Sequence, residues 1–101
     1  MTQLNFSTNR VISVTGNYTP TLYEDIILVT TAGDTTITLP AVASAHNKAY
    51  YILKASAISK VIVTPQTGEL IDGSDHYDIN NHYECIQIVC NGSAWYVISK
   101  K

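Results

Sequence analysis

The densest group of residues that could do chemistry lies between positions 72 and 82. It contains Asp72, Asp75, His76, Asp78 and His82. A calcium loop needs oxygen ligands at alternate positions and a closing bidentate glutamate, whereas these aspartates are three apart and no glutamate follows in register. A zinc site would require His76 and His82 to meet across a hairpin. We interpret the group as a polar turn whose side chains satisfy local backbone donors, and we predict no metal and no cofactor.

Nucleophilic and acid–base catalysis have weaker support. Cys85 and Cys90 lie in one apolar run, away from any helix N-terminus or adjacent base. They are five positions apart, so on a strand they face opposite sides and cannot form a disulfide with each other. Glu69 and Asp72 could face one groove as paired carboxylates, but so could many acidic loops. We predict no catalytic residues and no enzymatic activity.

Composition predicts an all-β fold. The chain has 101 residues, of which 12 Ile, 12 Thr, 8 Val, 7 Tyr, one Phe and one Trp make up 41. These β-branched and aromatic residues fit a pleated, half-buried sheet. The length predicts one domain, and a chain of this size has a modest core that association with other copies could enlarge.

Turn residues divide the chain into eight or nine short strands. We predict an N-terminal arm over 1–9 and a single domain over 10–101, with strands near 10–14, 25–30, 35–39, 49–55, 60–64, 76–79, 83–90 and 94–99. Gly33-Asp34 predicts that the second and third strands form a hairpin, and Asn91-Gly92 is the strongest hairpin signal. In the third strand Thr35, Ile37 and Leu39 share the buried face. The pattern is typical of a compact antiparallel, jelly-roll-like sandwich.

Charge excludes some classes of partner. Only 14% of residues are charged and the net charge is −2, with lysines scattered along the chain. Nucleic-acid binding needs clustered basic residues to neutralise phosphates, so we predict none. No apolar run of about 18 residues is present, which predicts no membrane span, and the N-terminus lacks the pattern of a signal peptide.

The aromatic residues have two interpretations. Trp95 begins the strand after Asn91-Gly92, where a single tryptophan is predicted to lie in the core. Tyr50 and Tyr51 must face opposite sides of one strand. The remaining tyrosines could instead stack on sugar rings, which keeps carbohydrate binding open as an alternative.

Four blocks occur in a fixed order over residues 26–99. They are "DIILVTTAGDTTITLPAV", "NKAYYILKA", "KVIVTPQTGELIDG" and "YECIQIVCNGSAWYVIS". In this order the chain resembles a small β-module of bacteriophage tail fibres, receptor-binding proteins and other virion surface proteins. The resemblance implies a compact β-sandwich that assembles as a homotrimer on a virion, and the virion is assembled in the host cytoplasm.

The resemblance is compatible with two functions. Because no coiled-coil or collagen-like stalk precedes the first strand, we expect a capsid decoration (cement) protein that contacts the major capsid protein or another virion protein. Its candidate anchoring arm contains Leu4, Phe6 and Val11. The alternative is a tail-fibre or receptor-binding tip that attaches to a glycan or protein of the host surface, for which we expect exposed aromatic residues grouped near one loop end.

Overall fold

The computed structural model describes residues 10–101, which form eight β-strands and no helix. The strands are β1 (Val11–Val14), β2 (Ile26–Val29), β3 (Thr35–Thr38), β4 (Ala49–Lys54), β5 (Val61–Thr64), β6 (Tyr77–Ile79), β7 (Cys85–Cys90) and β8 (Trp95–Lys100). Sheet A has the order β1-β2-β4-β7-β8, and sheet B has the order β3-β5-β6. The prediction of an all-β chain with eight or nine strands is therefore confirmed.

The strands pair differently from our prediction. β1 with β2, β2 with β4 and β3 with β5 are parallel pairs. Only β4 with β7, β5 with β6 and β7 with β8 are antiparallel. The expectation of an antiparallel sandwich is wrong for half of the pairs, and a jelly roll, which is built from antiparallel strands, is not shown.

The predicted hairpin of the second and third strands is also wrong. β2 lies in sheet A between β1 and β4, whereas β3 lies in sheet B beside β5. Each strand has an apolar inner face. The side chains of Ile27 and Val29 in β2 and of Ile37 in β3 are all fully buried. Placing the two strands in different sheets buries both faces in one core, and this burial outweighs the short-range pairing that the turn residues suggested.

The first five strands wind between the sheets. The chain passes from β2 in sheet A to β3 in sheet B, returns to β4 beside β2, and passes again to β5 beside β3. An isolated parallel bridge between Tyr18 and Ile37 adds a further segment beside β3. Because each connection crosses to the other sheet, two neighbouring strands of one sheet can run parallel without a helix between them.

One core cluster joins the inner faces of both sheets. Trp95 and Tyr50 are its largest members, with ring centroids 5.9 Å apart. The other fully buried members include Ile27, Ile37, Leu39, Ile52, Val63, Ile71, Ile79, Ile86 and Ile88. Each such side chain contributes about 1.5–3 kcal/mol relative to exposure. The predicted core positions of Trp95, Ile37 and Leu39 are confirmed.

Local turn chemistry explains two well-defined positions. Buried Thr35 is satisfied because its hydroxyl lies 2.9 Å from that of Thr31, which also accepts from the Gly33 amide at 2.9 Å. The Asn91 carboxamide oxygen accepts from the amides of Ser93 and Ala94. Gly92 follows with φ of +92°, a conformation that favours glycine. The predicted hairpin of β7 and β8 is confirmed.

Candidate functional site

The acidic group predicted at 72–82 is divided in the structure. Asp75, His76 and Asp78 lie on the outer side of sheet B, together with Lys60. His76 lies 2.6 Å from Asp75 through Nδ1 and 3.8 Å from Asp78 through Nε2. The Asp72 carboxylate instead accepts from the Val97 amide at 3.1 Å. This hydrogen bond stabilises β8.

The two histidines of the zinc alternative are separated by the topology. β6 pairs with β5 in sheet B, while β7 pairs with β4 in sheet A, so the turn between them is not the turn of a hairpin. The His82 ring stacks on Tyr83 with centroids 3.8 Å apart. Within residues 10–101, no group of three or more His, Cys, Asp or Glu side chains could hold a metal ion.

Polar residues line a shallow hollow on sheet B. It has a volume of about 340 Å³ and is bordered by Lys60, Ile62, Thr64, Asp75, His76 and Asp78. The Lys60 ammonium lies 3.4 Å from one oxygen of Asp78, and the other oxygen of Asp78 is buried without a hydrogen-bond partner among the described residues. These groups could bind the hydroxyl groups of a small polar ligand.

The two cysteines lie on opposite sides of β7, as their spacing predicted. Both are free, with Cys90 buried and Cys85 partly exposed on the opposite side of β7. Burial raises the pKa of the Cys85 thiol, an effect that nearby Lys101 partly opposes. A raised pKa reduces the fraction of the Cys85 side chain that is thiolate at neutral pH.

The outer face of sheet A presents uncharged side chains along its strands. Its residues alternate with the core positions, and we call them the apolar face: Val11, Ser13, Ile26, Leu28, Ala49, Tyr51, Leu53, Cys85, Gln87, Val89 and Tyr96. They align in rows across the sheet, since Val11 pairs with Ile26, Ile26 with Tyr51 and Tyr51 with Gln87. None carries a charge.

A hollow of about 370 Å³ lies in this face. Its lining is Ile26, Leu28, Tyr51, Leu53, Cys85, Ser99, Lys100 and Lys101. Aliphatic and aromatic carbon therefore surrounds most of it, and charge enters only at the C-terminal rim. Lys100 at that rim lies 3.3 Å from the Glu84 carboxylate of the same chain.

The predicted anchoring residues are only partly described. Val11 lies in β1 at the edge of sheet A, and 56% of its surface is exposed. It therefore belongs to the strand and to the apolar face. Leu4 and Phe6 lie outside the described residues.

The exposed tyrosines are not grouped at one loop end. Tyr23 precedes the start of β2, whereas Tyr83 follows β6, and its amide donates to the carbonyl of Lys54 at the end of β4. Because β2 and β4 are parallel, these two loops lie at opposite ends of sheet A. Tyr51 and Tyr96 lie on the apolar face.

Sequence reasoning missed two buried ionisable residues. Lys54 is fully buried, and the hydrogen bond of its ammonium within the described residues is to the Ser56 carbonyl at 2.6 Å. Glu84 is almost fully buried and accepts from the amides of Asn80 and Asn81. Alternation along β4 places Lys54 on the same face as Tyr50 and Ile52, which was the available signal for Lys54.

Comparisons with known proteins give no assignment. No protein-family model matches the chain, and no curated protein matches it significantly. Among residues 10–101, no helix is long and apolar enough to cross a membrane.

Proposed function

We propose that the chain is a bacteriophage virion structural protein that assembles as a homotrimer and decorates the capsid surface. Its partners are other copies of itself and the major capsid protein or another virion protein, and it resides in the virion after assembly in the host cytoplasm. The observation that carries the proposal is the apolar face of sheet A, on a chain whose four sequence blocks resemble a virion module. In this proposal the two sheets form a β-sandwich.

The apolar face favours assembly over catalysis. Single exposed apolar residues are ordinary on protein surfaces, but a contiguous apolar patch marks an interaction site. On this chain, Val11 of β1, Tyr51 of β4 and Tyr96 of β8 are well exposed, and the intervening strands β2 and β7 add partly buried, uncharged side chains. Covering such a face stabilises an 11.1 kDa chain whose own core is small.

A second candidate is a tail-fibre or receptor-binding tip module. The polar hollow of sheet B favours it, because Asp75, His76 and Asp78 supply groups that hydrogen-bond sugar hydroxyls. The dispersed positions of Tyr23 and Tyr83 count against it, since an aromatic platform for sugar rings needs grouped rings.

Labelling of purified virions tests both candidates. Antibodies against the chain, with gold detection in electron micrographs, are expected to label the heads of particles of the phage that encodes it. Gold confined to the tail ends would contradict the decoration role and support the tip module. Particles that contain none of this chain by mass spectrometry would overturn both candidates.

A further inference from the structure

We propose that the N-terminal arm, residues 1–9, folds back over the outer face of its own sheet A and seats Leu4 and Phe6 in the hollow of the apolar face. The occupant of the hollow is therefore a segment of the same chain that lies outside the described residues 10–101. This contact goes beyond the proposed function, because it forms whether or not the chain associates with other copies.

The arm joins the sheet next to the hollow. β1 begins at Val11, which pairs with Ile26, and Ile26 lines the hollow. The backbone of Arg10 is held at the start of β2, because its amide donates to the Asp25 carboxylate at 2.9 Å and its carbonyl accepts from the Ile26 amide at 3.0 Å. Since β1 is an edge strand of sheet A, the arm continues from this edge, beside the apolar face.

The arm is long enough to reach the hollow. Strands lie about 4.8 Å apart, so β2 is about 5 Å and β7 about 14 Å across the sheet from β1. A segment packed about 10 Å above the sheet is then about 11 Å and 17 Å away from Arg10. Phe6 is four residues before Arg10 and Leu4 is six, which extended chain spans with about 13 Å and 20 Å. Phe6 therefore reaches the near wall at Ile26, and Leu4 reaches the far wall formed by β7. Residues 7–9, Ser-Thr-Asn, include types that favour the turn required.

The sequence of the arm has the pattern of a half-buried extended segment. Leu4 and Phe6 are two positions apart, so in an extended chain they share one side and lie about 7 Å from each other. Ile26 and Leu28 in the wall of the hollow have the same separation along β2. Asn5, between the two apolar residues, points to the opposite side and towards water. The arm and the hollow therefore match in spacing.

Charge and attachment both favour the arm over another molecule. None of residues 1–9 has a charged side chain, and no strand residue that lines the hollow in β2, β4 or β7 carries a charge. At the rim, Lys100 is opposed by Glu84 at 3.3 Å. An uncharged segment covers these apolar walls without burying a charge. A segment tethered by a few residues has an effective concentration in the millimolar range, which a separate molecule rarely reaches.

A seated arm changes the surface that other molecules meet. Leu4 and Phe6 remove the walls of the hollow from water, while outward residues beyond its lining remain for a partner, namely Ala49, Val89 and Tyr96. In the proposed homotrimer, neighbouring copies would then contact the apolar face with its arm in place.

Disulfide trapping within one chain tests the position of the arm. Leu4→Cys places a thiol beside Cys85 in the hollow and keeps Phe6 as the second contact. The full chain is oxidised with copper phenanthroline at pH 9, because burial raises the pKa of the Cys85 thiol. We expect an intramolecular disulfide between position 4 and Cys85, seen as a monomeric band on a non-reducing gel and as a linked peptide pair by mass spectrometry. Adding Cys85→Ser should abolish it.

Asn5→Cys is the matched control for this cross-link. Asn5 is nearer to Arg10 but lies on the opposite side of the extended arm, so its cross-link to Cys85 should form at least about tenfold more slowly. Equal rates at positions 4 and 5 would mean that the arm has no fixed position and would overturn the inference. Disulfide-linked dimers or trimers in place of the intramolecular product would mean that the arm reaches another copy. That result would also overturn the inference, while leaving the proposed homotrimer intact.

Thiol reactivity gives a second measurement without any cross-link. Cys85 is the partly exposed cysteine and the other one is buried, so Cys85 reports on the hollow. The double variant Leu4→Ser, Phe6→Ser is expected to speed the reaction of Cys85 with dithionitrobenzoate by about tenfold, since a covered group reacts through its uncovered state. Gln3→Ser with Asn5→Ser is the control and should leave the rate unchanged.

The outcomes of the reactivity measurement are separable from the proposed function. An unchanged rate in the double variant would overturn the inference. Protection of Cys85 that is lost on dilution would assign the cover to a second copy and would overturn it as well. Virion labelling decides the decoration role in either case.

Discussion

The outer faces of the two sheets differ in the side chains that they present. On sheet B, Thr36, Thr38, Thr64 and Asp78 surround a single Ile62. On sheet A, the equivalent outward positions are mainly Ile, Leu, Val and Tyr. Threonine retains strand propensity while its hydroxyl hydrogen-bonds with water. The sheet B face is therefore suited to solvent, and the apolar face of sheet A is suited to a protein partner.

The largest effect is expected when a charged side chain is introduced into the apolar face of sheet A. Tyr51→Lys puts an ammonium group in the hollow of the apolar face, so we expect the mass by light scattering to fall from three times 11.1 kDa to 11.1 kDa. Burying an unpaired charge in an interface costs several kcal/mol. Tyr51 is 40% exposed in the isolated chain, so the fold itself should tolerate the change.

Thr36→Lys is the matched control on the outer face of sheet B. Thr36 is partly exposed in a strand, as Tyr51 is, and we expect its substitution to leave the mass unchanged. Equal loss of mass in both variants would remove the distinction between the faces. Unchanged mass in both would place the association elsewhere on the chain.

Local pattern predicted much of this fold. The alternation "TTITL" correctly assigned Thr35, Ile37 and Leu39 to the core and Thr36 and Thr38 to the outer face. Asn91-Gly92 correctly predicted the β7–β8 hairpin. These features depend on a few neighbouring residues, which is why a single sequence reveals them.

The pairing of strands was not predictable in the same way. The turn at Gly33 is compatible with a hairpin and equally with a passage between sheets, and burial of Ile27 and Ile37 across the core decides the outcome. The apolar face was missed for a related reason. Its rows arise only when parallel pairing places Val11, Ile26 and Tyr51 side by side, although 40 residues separate the first from the last.

A smaller effect is expected at the Glu84 carboxylate, next to sheet A. Burial opposes its ionisation, but hydrogen bonds from the Asn81 amide, Lys100 and the Asn80 amide prevail and hold the pKa of Glu84 below its ordinary value of 4.5. A carboxyl with a lowered folded-state pKa stabilises the protein above its unfolded-state pKa, and that contribution is lost as the pH falls through the folded-state value. The window is therefore below about pH 4.5.

Glu84→Gln measures this contribution. The amide retains one acceptor for the backbone donors but loses the charge that strengthens them, so we expect a loss of about 1–3 kcal/mol at pH 7. The difference from the unsubstituted protein should be smaller at pH 3 than at pH 7, because the contribution of the charge declines as the pH falls below about 4.5. Urea unfolding followed by circular dichroism at both pH values checks this. A difference that stays constant with pH would show that the charge of Glu84 contributes nothing.

The smallest effects distinguish a buried lysine of sheet A from an exposed lysine beside sheet B. Lys54 is fully buried, and within residues 10–101 no carboxylate lies within 4.0 Å of its ammonium, which donates to Ser56. Methionine has a similar length and needs no such donor contact, so we expect Lys54→Met to raise the unfolding free energy by about 1 kcal/mol. Lys60→Met removes the ion pair between Lys60 and Asp78. Because the Lys60 side chain is 41% exposed, we expect the unfolding free energy to fall by less than about 1 kcal/mol. Urea unfolding of both variants at pH 7 gives the comparison. A clear loss of stability in Lys54→Met would mean that the ammonium–carbonyl contact holds the end of β4 in place, and that this buried charge is a structural requirement of sheet A.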